Sequence, residues 1–178
     1  MDLEPIRLLY AYNRWANARI LDRAETLTPE QLHAPVLGSF GSVRDTLVHL
    51  METEFFWSGL IWRGKAIDID WETFEFDPGD YPDVVAIRAR WAEIASGLDA
   101  FIDELTPAGE QSLERIIVWH SDADTLRRRT LWSSMLDLAT HATQHRSEIA
   151  MALTRYGSSP GELDLSDYLR EHVPEPAA

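Results

Sequence analysis

The longest helical stretch of the chain is Leu131–Tyr156, with the sequence LWSSMLDLATHATQHRSEIAMALTRY, and Gly157 provides a C-terminal stop for it. His141 and His145 lie four residues apart in this stretch, so their side chains share one face of the helix, with Cβ atoms about 6 Å apart. Two imidazoles at such a spacing can hold one divalent metal ion, each at roughly 2.0–2.1 Å. The function therefore depends on whether a third ligand exists and whether a coordination position stays open.

Three further helices are predicted from the spacing of apolar residues and from their end signals. The first runs from roughly Glu4 to Ala24, and the second follows the N-cap residue Ser42 and stops at Gly64. The third carries apolar residues at steps of three and four from Val84 to Leu105. With the helix of the two histidines, they predict an all-α four-helix bundle.

Two connections interrupt this bundle. Residues 65–82 are predicted to form a long crossover after the second helix, with a turn at residues 77–80. Before the fourth helix, the segments Leu113–His120 and Thr125–Leu131 flank polar residues, which predicts a small β-hairpin as an insert.

The composition is that of one globular domain. The chain has 178 residues, of which 45% are hydrophobic, and we expect residues 1–173 to form a single domain with a disordered tail at residues 174–178. Its formal net charge of −14 argues against nucleic acid, whose phosphates require lysine and arginine. The same charge argues against an anionic membrane surface as partner.

The chain contains no cysteine, which excludes disulfides, thiolate nucleophiles and thiolate metal ligands. The first residues, Met1–Pro5, lack the basic segment and apolar core of a signal peptide. No apolar run approaches the roughly 18 residues that a membrane span requires. We therefore expect a cytoplasmic protein.

His49 is the candidate for the third metal ligand. It lies in the middle of the second helix, between Leu47 and Leu50. Metal sites in helix bundles are built from inward-facing side chains on neighbouring helices, so His49 can join the pair on the fourth helix. Three histidines leave a coordination position open, which is typical of catalytic or ligand-binding sites, whereas structural zinc sites are closed by four protein ligands. The pair lacks the glutamate of H-E-x-x-H, so the usual general base of a metalloprotease is missing.

Four motifs, in order and at matching spacing, resemble the DinB/YfiT-like family of metal-binding proteins. They are Tyr12–Asn17 (YNRWAN), Ser39–Leu50 (SFGSVRDTLVHL), His141–Arg146 (HATQHR) and Ser159–Leu169 (SPGELDLSDYL). The resemblance covers nearly the whole chain. It implies a four-helix bundle, commonly a homodimer, with one divalent metal ion held by His49, His141 and His145. Zinc or nickel is the usual metal in the family, and imidazole ligands suit either one.

Two positions depart from the family pattern. Asp137 lies four residues before His141, where many relatives have a histidine. It is a fourth ligand, a hydrogen-bond acceptor that orients an imidazole, or a polar residue in the first part of the helix. The family often has Arg-Gly-Gln after its last histidine, where this chain has Arg146-Ser147-Glu148, and this weakens inferences about helix packing there.

Two classes of function stay open at this point. The first is a metal-dependent enzyme, because a metal held by three neutral imidazoles can lower the pKa of a bound water to about 7. It would be a hydrolase using that water, or a transferase or isomerase that uses a low-molecular-weight thiol, as some relatives do. The second is a non-catalytic metal or small-ligand binding protein of a stress response. A metal-free structural bundle is a third alternative.

Overall fold

The computed structural model describes residues 2–66, 76–106, 108, 112–122 and 125–174, and it is mostly helical. Its α-helices are α1 (Glu4–Ala24), α2 (Pro29–His33), α3 (Val43–Phe55), α4 (Val84–Asp103), α5 (Leu131–Arg155) and α6 (Leu165–His172). Its strands are β1 (Pro35–Val36), β2 (Gly41–Ser42), β3 (Ile116–Asp122) and β4 (Thr125–Thr130). No helix in the described part of the chain is long and apolar enough to span a membrane.

Local signals mark the starts of α3 and α4 and the end of the second helical segment. The Ser42 hydroxyl accepts a hydrogen bond of 3.1 Å from the Asp45 backbone N–H and so caps α3, as predicted. In the same way, the Asp83 carboxylate accepts a bond of 2.8 Å from the Ala86 N–H at the start of α4. At the other end of the second helical segment, Gly64 adopts φ +69°, which favours glycine.

The second helical segment differs from the predicted α-helix in its last part. After α3, residues Phe56–Ile61 form a π-helix, and the backbone N–H of Trp62 bonds to the Trp57 carbonyl at 2.9 Å. The wider turn directs Trp62 into the core, where its side chain is fully buried and its Nε1–H donates to Ser134 Oγ at 2.8 Å. Apolar spacing does not distinguish this turn from ordinary α-helix, since the pattern continues through it.

Two small antiparallel sheets accompany the helices. The predicted hairpin is confirmed as β3 and β4, which pair from Ile116 with Thr130 onwards. Its first strand begins later than predicted because Leu113 and Arg115 instead accept hydrogen bonds from the first residues of α5. The second sheet consists of β1 and β2, in which Val36 pairs with Gly41.

The structure describes the closing motif and part of the predicted crossover, including its turn. The closing motif contains a helix, α6, whose Tyr168 ring packs against Tyr12 and Trp15 of α1 at centroid distances of 6.0 and 5.6 Å. Of the predicted crossover, residues 78–80 form one 3-10 turn, whereas residues 67–75 lie outside the described residues. Residues 175–178 of the predicted tail also lie outside them.

Helices α1, α3, α4 and α5 contact one another in pairs. Helix α1 contacts α4 and α5, and α3 contacts the same two helices. The core has two clusters of buried apolar residues, one that includes Leu47 and Ile87 and one that includes Trp62 and Leu131. This arrangement places the middle of α3 directly against the middle of α5.

A buried arginine connects α5 to α1. Arg146 is only 2% exposed, and its guanidinium donates hydrogen bonds to the side-chain carbonyls of Asn13 and Asn17 and to Thr143 Oγ1. The guanidinium also lies over the Tyr12 ring, 5.5 Å from its centroid. The first family motif, Tyr12–Asn17, therefore supplies the surroundings of this charge.

Replacing Arg146 with methionine is expected to lower the free energy of unfolding by about 2–4 kcal/mol, because Asn13 and Asn17 lose their donor and each unpaired buried acceptor costs about 1–3 kcal/mol. Urea unfolding of the metal-free protein measures the change. The matched control is Arg170→Met, which removes an exposed ion pair with Asp167 and should cost less than about 1 kcal/mol. Equal losses in the two variants would contradict a structural role for the buried guanidinium.

Candidate metal site

The three histidines predicted from the sequence lie together. His49 comes from α3, and His141 and His145 come from α5. Each offers one ring nitrogen, and these three atoms all lie within 4.8 Å of one another. The Nε2 atoms of His49 and His141 are 3.1 Å apart. Three nitrogens this close are within reach of a single metal ion of zinc size with small side-chain adjustments.

Glu148 orients one of the imidazoles. Its Oε2 lies 2.8 Å from Nδ1 of His145, three residues earlier on α5. An ionised carboxylate only accepts hydrogen bonds, so Nδ1 of His145 carries the proton and Nε2 is left as the free lone pair. This is the arrangement that commonly fixes the tautomer of a metal-binding histidine.

The Glu148 carboxylate is itself held by the loop before α3. Its Oε2 accepts a second hydrogen bond of 3.1 Å from Ser39 Oγ, and Ser39 Oγ lies 2.6 Å from Thr46 Oγ1. Burial raises the pKa of Glu148, but its hydrogen bonds with His145 and Ser39 outweigh burial and lower that pKa overall. The carboxylate is therefore ionised and able to accept from His145 at neutral pH.

Phe40 covers one side of the cluster. Its ring stacks on the His49 ring at a centroid distance of 3.6 Å with an interplanar angle of 12°, and its edge meets His145 at 5.2 Å. The Phe40 side chain is 51% exposed, so one face lies on the histidines while the other faces solvent. The aromatic ring removes water from one side of His49 and leaves the cluster reachable from the partly exposed His49 and His141.

The cluster favours neutral imidazoles. Burial, followed by repulsion from His141 and His145, lowers the pKa of His49 from 6.5 to about 4. Burial and His145 also lower the pKa of His141, although Asp137 and Glu148 act in the opposite direction. Because a metal binds the unprotonated nitrogen, these shifts keep His49 and His141 in the ligand form at neutral pH.

Asp137 lies outside the group of converging ligand atoms. It is exposed, and its Oδ2 accepts a hydrogen bond of 2.6 Å from Arg129 Nη1 on β4. Of the three roles considered from the sequence, this contact favours the last, a polar residue that connects the hairpin to α5. The charge of Asp137 offsets part of the lowering of the His141 pKa.

Three residues around the histidines were not predicted from the sequence. Glu148 had a local signal, since it lies three residues after His145 on the same helix and such pairs face each other. Ser39 and Phe40 had no such local signal in the sequence, because they reach the cluster only through the fold of the loop between β1 and β2. Glu148, one of the two residues that depart from the family pattern, thus contacts His145.

Comparison with known proteins identifies the family of this chain. Residues 3–176 match the DinB family, and the chain belongs to that family. Protein DinB from Bacillus subtilis (strain 168) is 24% identical over 174 residues, which cover 90% of this chain and 91% of that protein. The resemblance identified from the four sequence motifs is confirmed.

Protonation of His49 should make the metal-free protein less stable in mild acid. The pKa of His49 is about 4 in the folded protein and returns towards 6.5 on unfolding, so only the unfolded chain binds this proton between those values. The free energy of unfolding contributed by His49 therefore falls as the pH is lowered from about 6.5 to about 4. Urea unfolding across this interval should show a smaller acid loss for His49→Gln than for the unaltered protein.

Other groups also titrate in this pH range, so the effect of His49→Gln is compared with that of a second histidine variant. The control is His33→Gln, since His33 is exposed, bonds to the Pro82 carbonyl at 3.0 Å and lies outside the cluster. It should follow the unaltered protein at every pH. If His49→Gln does the same, the His49 imidazole does not lie in a desolvated cluster.

Proposed function

We propose that His49, His141 and His145 bind one divalent metal ion, zinc or nickel, and leave a coordination position for an external ligand. The single observation that carries this proposal is the convergence of three ring nitrogens within 4.8 Å on two neighbouring helices. The lowered pKa values of His49 and His141 support it, because neutral imidazole is the ligand form. Membership of the DinB family agrees with it.

The surrounding residues suit a site that performs chemistry on a small molecule. A divalent ion there would act as a Lewis acid that stabilises the deprotonated form of a bound water or thiol. Glu148 holds the His145 ring in place through Nδ1, and Phe40 provides an apolar wall beside His49. An oriented ligand set with one apolar side resembles a small-molecule site more than a closed structural metal centre.

We propose further that the external ligand is a low-molecular-weight thiol and that the protein is a thiol-dependent transferase or isomerase. The chain has no cysteine, so any thiolate at this site must come from outside the protein. The partial exposure of His49 and His141 provides a route for such a molecule. The same site without a thiol cofactor would suit a hydrolase or a non-catalytic binding protein.

The architecture and assembly proposals follow from the same family resemblance. The packing of α1 and α3 against both α4 and α5 supports a four-helix bundle with the hairpin as an insert. We also propose a homodimer, as the family resemblance implies, in a reducing compartment such as the cytoplasm, with which the lack of cysteine is consistent.

The unaltered protein, purified without a histidine tag, is expected to bind one divalent ion per chain. His49→Ala should lose most of this metal, because it removes one of three ligands, whereas His33→Ala should keep it. Glu148→Gln should keep the stoichiometry and weaken the affinity by about 10–100-fold, since it disturbs only the orientation of His145. Elemental analysis and competition with a chelator measure these quantities.

The outcome that would overturn the three-histidine site is full metal content and unchanged affinity in His49→Ala. A His141→Ala variant provides a second test, because a site formed without His49 would still need the pair on α5. Far-UV circular dichroism of each variant distinguishes loss of a ligand from loss of the fold.

The thiol proposal predicts a spectroscopic change in cobalt-substituted protein. Adding 2-mercaptoethanol should produce a thiolate-to-metal charge-transfer band, whereas its S-methyl ether, which cannot form a thiolate, should not. His49→Ala protein should show no band with either compound. Absence of the band at millimolar thiol would exclude the thiol-dependent class and leave the hydrolase and the binding protein.

A further inference from the structure

A second cavity lies between α1 and α4, away from the histidines. Its volume is about 190 Å³, and its walls include the side chains of Ala18, Leu21, Ala92 and Ala95. None of the three clustered histidines lines it. Small side chains on both helices create this space, because alanines leave room where larger residues would fill the gap between two packed helices.

Three buried side chains with polar atoms line this apolar cavity, and one of them, Asn17, already accepts a hydrogen bond from Arg146. Glu54 and Trp91 are only 4% and 5% exposed, and both belong to its lining. Glu54 lies five residues after His49 on α3, which turns it about 140° around the helix axis from the histidine cluster. A carboxylate and an indole N–H therefore meet in a cavity that is otherwise largely hydrocarbon.

The Glu54 carboxyl and the Trp91 indole interact with each other. The buried Nε1–H of Trp91 makes no hydrogen bond of ordinary geometry with any residue that the structure describes, yet it lies close enough to Glu54 to lower the pKa of that carboxyl. Burial is the larger influence and raises the pKa of Glu54 to about 7. The carboxylate accepts hydrogen bonds, so a ligand group that donates to it reduces the cost of burying its charge.

The cavity lining carries three charged side chains, Arg14, Arg88 and Glu54. Arg14 is paired with Asp99, and Arg88 is paired with both Asp22 and Glu25, so neither arginine of the lining is free to pair with an anionic ligand. The charges of Arg146 and Arg14 favour the ionised form of Glu54, although burial outweighs them. Glu54 is the charged side chain of the lining without a salt bridge among the described residues, which favours a cationic ligand.

We propose that this cavity binds a small primary amine with an apolar body, whose ammonium group pairs with the Glu54 carboxylate. The apolar part lies between Ala18 and Leu21 on one side and Ala92 and Ala95 on the other. A dry protein cavity of about 150 Å³ is large enough for benzene, so a ring with one short aminomethyl arm is of suitable size. The site is independent of the proposed metal site and needs no metal ion.

The test uses the full chain and benzylamine, with the uncharged benzyl alcohol and the anionic benzoate as comparisons of similar size. Nuclear magnetic resonance follows the indole N–H signal of Trp91, which is assigned with a Trp91→Phe variant. Benzylamine is expected to shift this signal saturably and to bind at least ten-fold more tightly than benzyl alcohol. Benzoate should not bind, and metal-loaded and metal-free protein should give the same result.

Two kinds of variant distinguish binding in the cavity from binding to the acidic surface of the protein. Glu54→Gln should remove the preference for benzylamine over benzyl alcohol, because it removes the charge and keeps the shape. Ala95→Leu should abolish binding of both compounds by filling the cavity, whereas Ala89→Leu, at an exposed position of α4 outside the lining, should leave binding unchanged.

Each of several results would overturn the proposal. These are equal affinity for the amine and the alcohol, no shift of the Trp91 signal at millimolar benzylamine, or benzylamine binding that Ala95→Leu leaves unchanged. The last result would mean that the amine pairs with surface carboxylates. If Glu54→Gln does not fold, the Ala95→Leu and Ala89→Leu pair still decides the question, since both variants keep the carboxylate.

Discussion

Burying the Arg146 guanidinium between α5 and α1 restricts how α5 can rotate about its own axis. The guanidinium stays charged and needs acceptors, and Asn13 and Asn17 supply them inside the protein. With Arg146 facing α1, the preceding residue, His145, is turned by about 100° and faces α3. The buried charge therefore positions the histidines as well as the helices, and a rotation of α5 that released it would also separate His145 from His49.

The histidine cluster combines two features that suit metal binding. The charged form of His49 is disfavoured by burial and by its two neighbouring imidazoles, so this ring stays neutral. The ring of His145 donates from Nδ1 to the ionised Glu148, which leaves its Nε2 free. Phe40 adds hydrocarbon on one side, so the cluster is dry there and accessible elsewhere. Such a cluster has more in common with a cation site than with a packing core.

Helix α3 carries an ionisable side chain on each of two faces, His49 on one and Glu54 on the other. His49 faces α5 with the other histidines, and Glu54 faces the cavity between α1 and α4. Both groups have a pKa displaced by burial towards the neutral form, to about 4 for His49 and about 7 for Glu54. The cations that we propose for the two places are a metal ion at the first and an ammonium group at the second. The net charge of −14 favours cationic ligands over anionic ones at either place.

The sequence alone determined what depends on neighbouring residues: the long helices, the Ser42 cap, the hairpin and the shared face of His141 and His145. Periodicity, capping hydrogen bonds and i, i+4 geometry are all decided within a few residues, so they are visible in the chain. The family motifs extended this to His49. Only the tertiary structure decided that Ser39 and Phe40 reach the histidines, that α6 packs on α1 and that Glu54 lines a cavity. These contacts join segments far apart in the chain, and they depend on how whole helices rotate and pack, which no local pattern encodes.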